Sequence, residues 1–490
     1  MTADLTAQGR ELLLKRLAGG KNSESRSETP TRLRSSRIPL SAAQRRLWFI
    51  HELTQGGPAY NVPAAYRLRG ALDVPALESA VALVVRRHEI LRTTFRAENG
   101  EPYQVIGEPD VDVVVHDLSG ADDPVAEAAG LATAAAGTRF RLADGPLLDV
   151  WLARLGAEDH VLGIVAHHIL LDRESLEVLC AEISSAYRSF REGTEPKLPA
   201  LAAQYADFAE WQCAQMGEAG FERHSDYWRE TLRGVPPVLE VPADHPRPAT
   251  PTHRAGEAEV RIPQGTAKAL RALAVERKAT LFMTCLAAFQ GLLARYTAAT
   301  SVTVGCPFNG RGRVAYEGVI GFFTNTLPIV AHVGGDPSGH ALVDQAREAM
   351  LAAHAHQDFP FDRIVAEIDP PRDLGRNPLV QVWFDLASGQ GAPAGGLGFP
   401  GVSTEFFGEG ALRTRFDMEL HLSEAPDGTV QGRLLYALDL FDGETAETFV
   451  EHYERFLAAF AAEPERRLSQ VDFFSADQLH TLVERWGTGT

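Results

Sequence analysis

Cysteine is scarce in this chain of 490 residues, which has only four: Cys180, Cys213, Cys285 and Cys306. They are far apart and lie in apolar or helical segments, so they do not resemble the disulfide framework of a small secreted domain. We therefore expect buried free thiols and a location in the reducing cytoplasm.

Long apolar runs and an excess of positive charge are also lacking. No run approaches the roughly 18 residues of a membrane-spanning helix, and the first residues lack the apolar centre of a secretory signal. The net charge of −18 argues against a nucleic-acid backbone or an anionic membrane as the main partner. The composition, 45% hydrophobic and 23% charged, is typical of a globular protein, and the length predicts two lobes.

The most informative stretch that is present is VLGIVAHHILLDRESL, residues 161–176. Its short apolar run indicates a buried strand that ends on His167 and His168. Alternation along a strand sends these side chains to opposite faces, so one imidazole can enter a cleft while the other packs. A neutral imidazole can take a proton from a nucleophile. Asp172 lies beyond a turn and can fold back to fix the loop.

Two other interpretations of this pair remain open on the residues alone. A histidine at a strand end is often a satisfied polar residue with no chemical role. A metal site is disfavoured, because adjacent strand residues cannot easily face one ion and no further His or Cys stands at ligand spacing.

Composition divides the chain into segments. Residues 1–38 hold a predicted helix and a flexible linker rich in Ser, Arg and Pro, either a docking element for an acidic protein or a solvated tail. Strands alternate with helices over residues 39–215, which predicts an α/β lobe. Residues 216–475 repeat this pattern after an extended Pro-rich crossing segment at 234–253. They form the predicted second lobe.

Two strands and a turn predicted in the second lobe bear on the candidate site around His168. The pattern predicts strands over 318–333 and 377–387, and a turn over 356–362. One helix is predicted to run from the segment QYADFAEWQ to about residue 232.

Seven motifs occur in a fixed order along the chain. They are SAAQRRLW (41–48), RRHEILRTTF (86–95), AHHILLD (166–172), QYADFAEW (204–211), GVIGFFTNTL (318–327), HQDFPFD (356–362) and RDLGRNPL (372–379). Together they resemble the condensation domains of nonribosomal peptide synthetases and, beyond them, the chloramphenicol acetyltransferase-like superfamily. The resemblance covers about residues 8–490, and residues 476–490 are similar to the start of a linker to an adenylation domain.

The resemblance implies a fold and a reaction. The fold is α/β, with two chloramphenicol acetyltransferase-like lobes, each a mixed sheet with helices, forming a V-shaped pseudodimer around a central tunnel. The reaction is peptide-bond formation, in which a carrier-bound aminoacyl amine attacks a carrier-bound donor thioester. The implied partners are upstream and downstream peptidyl carrier proteins and an adjacent adenylation domain. The substrates are carried on phosphopantetheine, and no cofactor is bound by the domain itself.

The resemblance also assigns the site residues by position. His168 is the implied catalytic histidine, which deprotonates the attacking amine, orients it, or steadies the charged intermediate. His167 and Asp172 complete the motif in structural roles. The family aspartate pairs with an arginine of the other lobe, for which Arg311 is the first candidate here and Arg46 the second.

Four residues are expected along the tunnel: Arg173, Ser175, Asn325 and Trp383. Arg173 departs from the family pattern, which has glycine after the aspartate. A long cation there can narrow the entrance of an arm, contact a phosphate or bind an acidic substrate group.

The segment AQRRLWF…GPAYNVPAAYRLRGALD resembles the subtype that joins an L-donor to an L-acceptor. Three functions remain: an active condensation enzyme, an inactive condensation-like module that recruits carriers or tailoring enzymes, and a stand-alone acyltransferase. Retention of both histidines favours the first over the second, and the adenylation-type linker counts against the third.

Overall fold

The computed structural model describes residues 37–215, 220–371, 373–387 and 396–475, together with 478 and 480. The predicted N-terminal helix and nearly all of its linker lie outside the described residues, as does most of the predicted adenylation linker. No helix within the described ranges is long and apolar enough to cross a membrane.

The helices and strands follow one another in a mixed order. The helices are α1 Ala42–Leu53, α2 Val74–Arg87, α3 Pro124–Ala136, α4 Arg173–Arg191, α5 Tyr205–Gln215, α6 Gly220–Thr231, α7 Gln264–Glu276, α8 Leu281–Thr297, α9 Gly339–Ala355, α10 Phe361–Ile368 and α11 Gly443–Ala462. The strands are β1 Ile38–Pro39, β2 Asn61–Gly70, β3 Thr93–Glu98, β4 Glu101–Ile106, β5 Val113–Asp117, β6 Leu148–Gly156, β7 Asp159–His167, β8 Ala255–Ile262, β9 Ser301–Phe308, β10 Asn325–His332, β11 Val382–Ala387, β12 Val402–Gly408, β13 Met418–Glu424 and β14 Val430–Ala437.

Two large sheets form the centres of two lobes. The first has the order β12-β2-β7-β6-β5 and the second β10-β9-β11-β13-β14-β8. Both are mixed, because β5 runs parallel to β6 in the first sheet and β11 runs parallel to β9 and β13 in the second. A small sheet, β1-β4-β3, completes the first lobe. The predicted α/β fold with two mixed-sheet lobes is confirmed.

The first lobe packs α2 and α4 together beside its sheet. Helix α2 begins after Asp73, whose carboxylate accepts a hydrogen bond from the amide of Ala76 at 3.0 Å. It buries Leu77, Val81 and Val84 at helical spacing. Strand β7 is buried from residue 160 to its end, as expected of a central strand. Strand β7, which ends on His167, is therefore fixed by packing on both of its faces.

The second lobe is built around α8. Every residue of α8 from Thr284 to Ala294 is buried, because the helix lies between the sheet and α11. A helix whose buried side chains are nearly all apolar is suited to such a central position. Its first turn is capped by Thr280, whose hydroxyl accepts from the amide of Met283 at 3.2 Å.

Two segments of the second half pack into the first lobe. Strand β12 pairs antiparallel with β2, with Val402 opposite Gly70. The segment around Val319 and Phe323 joins the core of the first lobe. These two contacts connect the lobes and place residues from both lobes beside the end of β7. The division at residues 215 and 216 stays a prediction.

Several predicted elements differ from the structure. The strand predicted over 318–333 begins only at Asn325, because backbone amides just before it bind the side chains of Ser175 and Asp172 instead of a neighbouring strand. Helices α5 and α6 both lie within the helix predicted to reach residue 232, on either side of residues 216–219, which are outside the described residues, and β11 is shorter than predicted. The predicted turn over 356–362 leads directly into α10. The cysteines are free: Cys213 is half-buried and the other three are buried.

Candidate active site

A cavity of about 980 Å³ lies between the two lobes. Its lining includes His168 and Arg173 from the first half of the chain, and Trp383 and Glu419 from the second. Both sheets therefore contribute to one space, and the histidine pair lies at the strand end that reaches it.

His168 faces this cavity just beyond the end of β7. Its Nδ1 lies 2.7 Å from the carbonyl oxygen of Leu171 and therefore donates to it, which leaves the lone pair of the neutral ring on Nε2. The backbone amide of His168 donates to the carbonyl of Tyr60 at 2.7 Å, and Phe322 lies against the ring at a centroid distance of 4.6 Å. Burial, and then the positive charge of Arg415, lower the pKa of His168 to about 4. The imidazole is neutral at physiological pH.

His167 points to the opposite face, as alternation predicts. It is buried, and its ring contacts His51 and Phe140 edge-on at centroid distances of 5.3 and 6.4 Å. Its Nδ1 accepts a hydrogen bond from the amide of Ile169 at 3.2 Å. Burial lowers its pKa to about 3. His167 thus fixes the turn after β7 from inside the packing.

Asp172 caps α4 and holds the chain of the second half. Its Oδ1 accepts from the amide of Ser175 at 2.9 Å, and its Oδ2 accepts from the amides of Phe323 and Thr324, both at 3.0 Å. Arg311 approaches Oδ1 at 3.4 Å. We call this group of Asp172, Ser175, Arg311 and the 321–324 backbone the Asp172 junction.

Most of the hydrogen-bond donors of Arg311 are used within the Asp172 junction. Its Nη1 donates to the carbonyls of Tyr316 and Val319, both at 2.6 Å, and its Nη2 donates to the hydroxyl of Ser175 at 2.7 Å. Its guanidinium also lies 4.2 Å from the centre of the Phe323 ring. The first of the two predicted partners of Asp172 is therefore the one in contact.

Ser175 does not line the cavity, contrary to the predicted tunnel contact. Its hydroxyl donates to the carbonyl of Gly321 at 2.6 Å and accepts from the Gly321 amide at 3.0 Å. The side chain is buried because it faces the junction from the first turn of α4. Its role is to support the loop.

Arg46 lies on the cavity but away from Asp172, so the second predicted partner is not used. Its Nη2 donates to the side-chain oxygen of Asn377 at 3.1 Å, and its Nε lies 3.6 Å from Asp362. The guanidinium covers the ring of Phe361 at 4.9 Å. Arg46 connects α1 to the second lobe.

Arg173, Asn325 and Trp383 all border the cavity. Arg173 extends from the start of α4 to Asp385 on β11, with a nitrogen–oxygen distance of 3.3 Å. Asn325 borders the cavity, but its amide is used internally: it donates to the carbonyls of residues 357 and 359 and accepts from the amide of Phe361. Trp383 lies beside His421, with ring centroids 5.0 Å apart.

A model of the condensation domain matches residues 34–483. The chain belongs to the condensation domain family. Among nonribosomal peptide synthetases, this condensation domain is 37% identical over 456 residues to a linear gramicidin synthase of Brevibacillus parabrevis, covering 92% of the chain and 6% of that protein. It is 34% identical over 450 residues to a phosphinothricin tripeptide synthetase of Streptomyces viridochromogenes, covering 91% of the chain and 41% of that protein.

Solved structures show the same two-lobed fold. The X-domain from teicoplanin biosynthesis has a TM-score of 0.82 at 29% identity, covering 91% of this chain and all of that one. The first condensation domain of the calcium-dependent antibiotic synthetase has a TM-score of 0.73 at 23% identity, with 89% of this chain covered and all of that chain. The predicted pseudodimer of two lobes is thereby confirmed, while the chain spans less than half the length of the two synthetases named above.

A polar cluster that was not predicted from the sequence also lines the cavity of the condensation domain. Glu419 and His421 alternate along β13 with buried Leu420, and Arg415 precedes the strand. This alternation in RFDMELHLSE was a signal that could have found them, since every second residue of a half-buried strand faces the same side.

Hydrogen bonds keep Glu419 ionised in this wall. Its carboxylate accepts from the hydroxyl of Thr414 at 2.7 Å and the amide of Arg415 at 3.1 Å, and lies 3.2 Å from Nε2 of His421. Burial would raise the pKa of Glu419, but the hydrogen bonds from His421 and Thr414 and the charge of Arg415 hold it at about 2. Across the part of the chain that the structure describes, no group of three His, Cys, Asp or Glu side chains is placed to hold a metal ion.

Proposed function

We propose that this condensation domain forms an amide bond between two carrier-bound substrates. The amine of an aminoacyl acceptor attacks the thioester carbonyl of the donor, and the cavity between the lobes is where they meet. The observation that carries the proposal is the orientation of His168, whose Nδ1 donates to the Leu171 carbonyl while Nε2 keeps a lone pair beside the cavity. A neutral imidazole at that position can accept an N–H from the attacking amine.

The lowered pKa of His168 favours one of its three possible roles over the others. A base with a pKa of about 4 is too weak to hold a proton taken from a free ammonium group. It can orient a neutral amine by accepting its hydrogen bond, and pass a proton on as the intermediate collapses. In this step the C–N bond forms, the C–S bond breaks, and an amine proton ends on the pantetheine thiol.

Proximity supplies much of the acceleration in this mechanism. A thioester is already activated, so neither a covalent nucleophile nor a cofactor of the domain is required. Holding the two tethered ends in one cavity converts a bimolecular reaction into one within a complex. The partners we propose are the upstream and downstream carrier proteins, with their phosphopantetheine arms, and an adjacent adenylation domain.

Three finer assignments belong to the same proposal. Motif similarity supports the subtype that joins an L-donor to an L-acceptor, and membership of the chloramphenicol acetyltransferase-like superfamily. The reducing cytoplasm is the proposed location, supported by the four free thiols.

A second candidate is an inactive module that recruits other proteins. The likeness to the teicoplanin X-domain favours it, since that domain has been solved in a complex with OxyB, at a TM-score of 0.82 and 28% identity to this chain. The intact histidine pair favours the active enzyme, because recruitment requires no acceptor nitrogen in the cavity.

The deciding experiment loads donor and acceptor carriers with candidate aminoacyl groups and looks for a dipeptidyl carrier by intact-protein mass spectrometry. We expect product with the unaltered domain and none above background with His168→Ala. Failure of every loaded pair, while a known active condensation domain converts its own pair alongside, would favour the recruiting module.

A further inference from the structure

Arginines and carboxylates share the lining of the cavity. The arginines among its described residues are Arg46, Arg173, Arg413, Arg415 and Arg433. Three have carboxylate partners within 4.0 Å, which are Asp362, Asp385 and Glu409 at 3.6, 3.3 and 2.7 Å. The remaining two, Arg413 and Arg415, form no ion pair with any carboxylate in the described parts of the chain.

Arg413 is the more isolated of the two. It is half-buried, and its Nε is shielded from solvent without a hydrogen-bond partner among the described residues. Burial lowers its pKa, with no neighbouring carboxylate to oppose the effect. A half-buried guanidinium without a counter-charge is costly, so a bound anion would stabilise it.

Arg415 lies close to the reacting centre. Its charge contributes to the lowered pKa of His168, and its guanidinium lies 5.4 Å from the centre of the Tyr60 ring. Both Arg413 and Arg415 also act on the pKa of His253, so the two cations share one neighbourhood. The residue between them, Thr414, is buried, which is consistent with both arginines facing the cavity.

The carboxylate of Glu419 is the negative charge that faces this pair from β13. It is already bound by the Thr414 hydroxyl, the Arg415 amide and His421. Asp439 is a second carboxylate of this neighbourhood, but the amide and the hydroxyl of Thr252 already bind it, both at 2.7 Å. Arg413, whose Nε has no hydrogen-bond partner among the described residues, therefore keeps the capacity to bind an anion.

We propose that Arg413 and Arg415 form a subsite for a carboxylate carried by the substrate's own acyl or aminoacyl group. The inference rests on the proposed function, because it places that group beside His168. A phosphate of the pantetheine arm is the other available anion, but it is separated from the thioester by the whole arm. Arg415 lies near His168, where the thioester would react. This position favours a carboxylate close to the reacting carbon as the bound anion. Guanidinium groups bind carboxylates well because their planar donors match both oxygens.

Binding of stable pantetheine amides tests the subsite without requiring turnover. The probes are aspartyl- and asparaginyl-pantetheine amide, which lack the phosphate and differ by one charge, measured by titration calorimetry. We expect the aspartyl probe to bind about tenfold tighter, a typical value for a charge-assisted contact of about 1.4 kcal/mol. Arg413→Gln should remove the preference and Arg413→Lys should restore part of it. Arg69→Gln, an exposed arginine paired with Glu405, is the control and should keep it.

Each result of this experiment decides the question. Equal binding of the two probes by the unaltered domain overturns the subsite, as does a preference that survives Arg413→Gln. If phosphopantetheine alone binds in a manner that depends on Arg413, and the two probes bind equally, Arg413 and Arg415 are assigned to the phosphate of the pantetheine arm instead. If no loaded carriers condense but the aspartyl preference depends on Arg413, the proposed function fails and the subsite stands.

Discussion

The guanidinium of Arg311 lies 3.4 Å from the carboxylate of Asp172, and neither side chain is more than 2% exposed. These residues are 139 positions apart, so their contact joins the loop after the histidine pair to the second half of the chain. Asp172 borders the cavity, but its carboxylate is almost fully buried and is bound by Arg311 and by the backbone of the second half of the chain.

Asp172→Ala should destabilise the fold strongly. It removes one of the two carboxylates beside the buried cation of Arg311, the other being Glu174 at 3.5 Å, and leaves the amides of Phe323 and Thr324 without their acceptor. We expect a loss of about 3 kcal/mol or more in the free energy of unfolding, measured by urea denaturation. Asp226→Ala, which removes an exposed ion pair with Arg229, is the control and should change it by less than about 1 kcal/mol. A stable but inactive Asp172→Ala protein would indicate a chemical role for this carboxylate.

His168→Ala should slow amide formation by about 10²- to 10⁴-fold while leaving the fold intact. The ring borders the cavity and its removal takes away the Nε2 acceptor. The measurement is single-turnover condensation with loaded carriers, alongside a thermal melt. His332→Ala, an exposed histidine on β10, should match the unaltered rate. Normal turnover by His168→Ala would remove this residue from the mechanism.

The stability of the domain should fall as the pH falls from 6.5 towards 3. Folding lowers the pKa of buried His167 from 6.5 to about 3, so within this window the unfolded chain binds a proton that the folded chain does not. The free energy of unfolding therefore rises with pH across the window and levels off above 6.5. Urea denaturation at several pH values measures the slope, which should be smaller in His167→Gln and unchanged in His332→Gln. An unaltered slope in His167→Gln would assign the acid sensitivity to other groups.

Arg173→Gly should open the cavity without abolishing condensation. Arg173 crosses to Asp385 at 3.3 Å and also lies 3.8 Å from Glu177. Removing it should let an aminoacyl-pantetheine mimic bind more readily, while His168 and the Asp172 junction stay in place. Asp385→Asn should reproduce part of the effect, and Glu177→Gln less of it. Arg173→Ala separates the loss of the side chain from the added backbone freedom of glycine at the first residue of α4.

Mimic binding by calorimetry and single-turnover condensation together decide this point. Unchanged binding and an unchanged rate in Arg173→Gly would show that Arg173 does not restrict access. Complete loss of activity would mean that Arg173 itself contacts the reacting groups.

Local features of the fold followed from the sequence. The hairpin between β3 and β4 turns at Asn99 and Gly100, whose φ values of 54° and 82° are those that an Asn-Gly pair favours. The strand that ends at His167, and the opposite directions of His167 and His168, followed from apolar runs and alternation. These patterns are set by the period of the backbone, so a short window of residues contains them.

Contacts between residues far apart in the chain were predicted less completely from the sequence. The motif resemblance indicated Arg311 as the partner of Asp172, but not that Ser175 would turn into the same junction and away from the cavity. Strand β12 was missed because its residues are mostly exposed or half-buried, so no apolar run marks it. Its partner β2 lies more than 300 residues earlier in the chain.

The sequence by itself determined the family, the two α/β lobes and the strand end that carries the histidine pair, because motif order and hydrophobic period are properties of the chain alone. Only the tertiary structure decided which charges meet across the cavity: Arg173 pairs with Asp385, while Arg413 and Arg415 line the cavity without an ion pair among the described residues. The physical reason is that charge interactions depend on distance and burial in space, and both lobes must be packed before either is set.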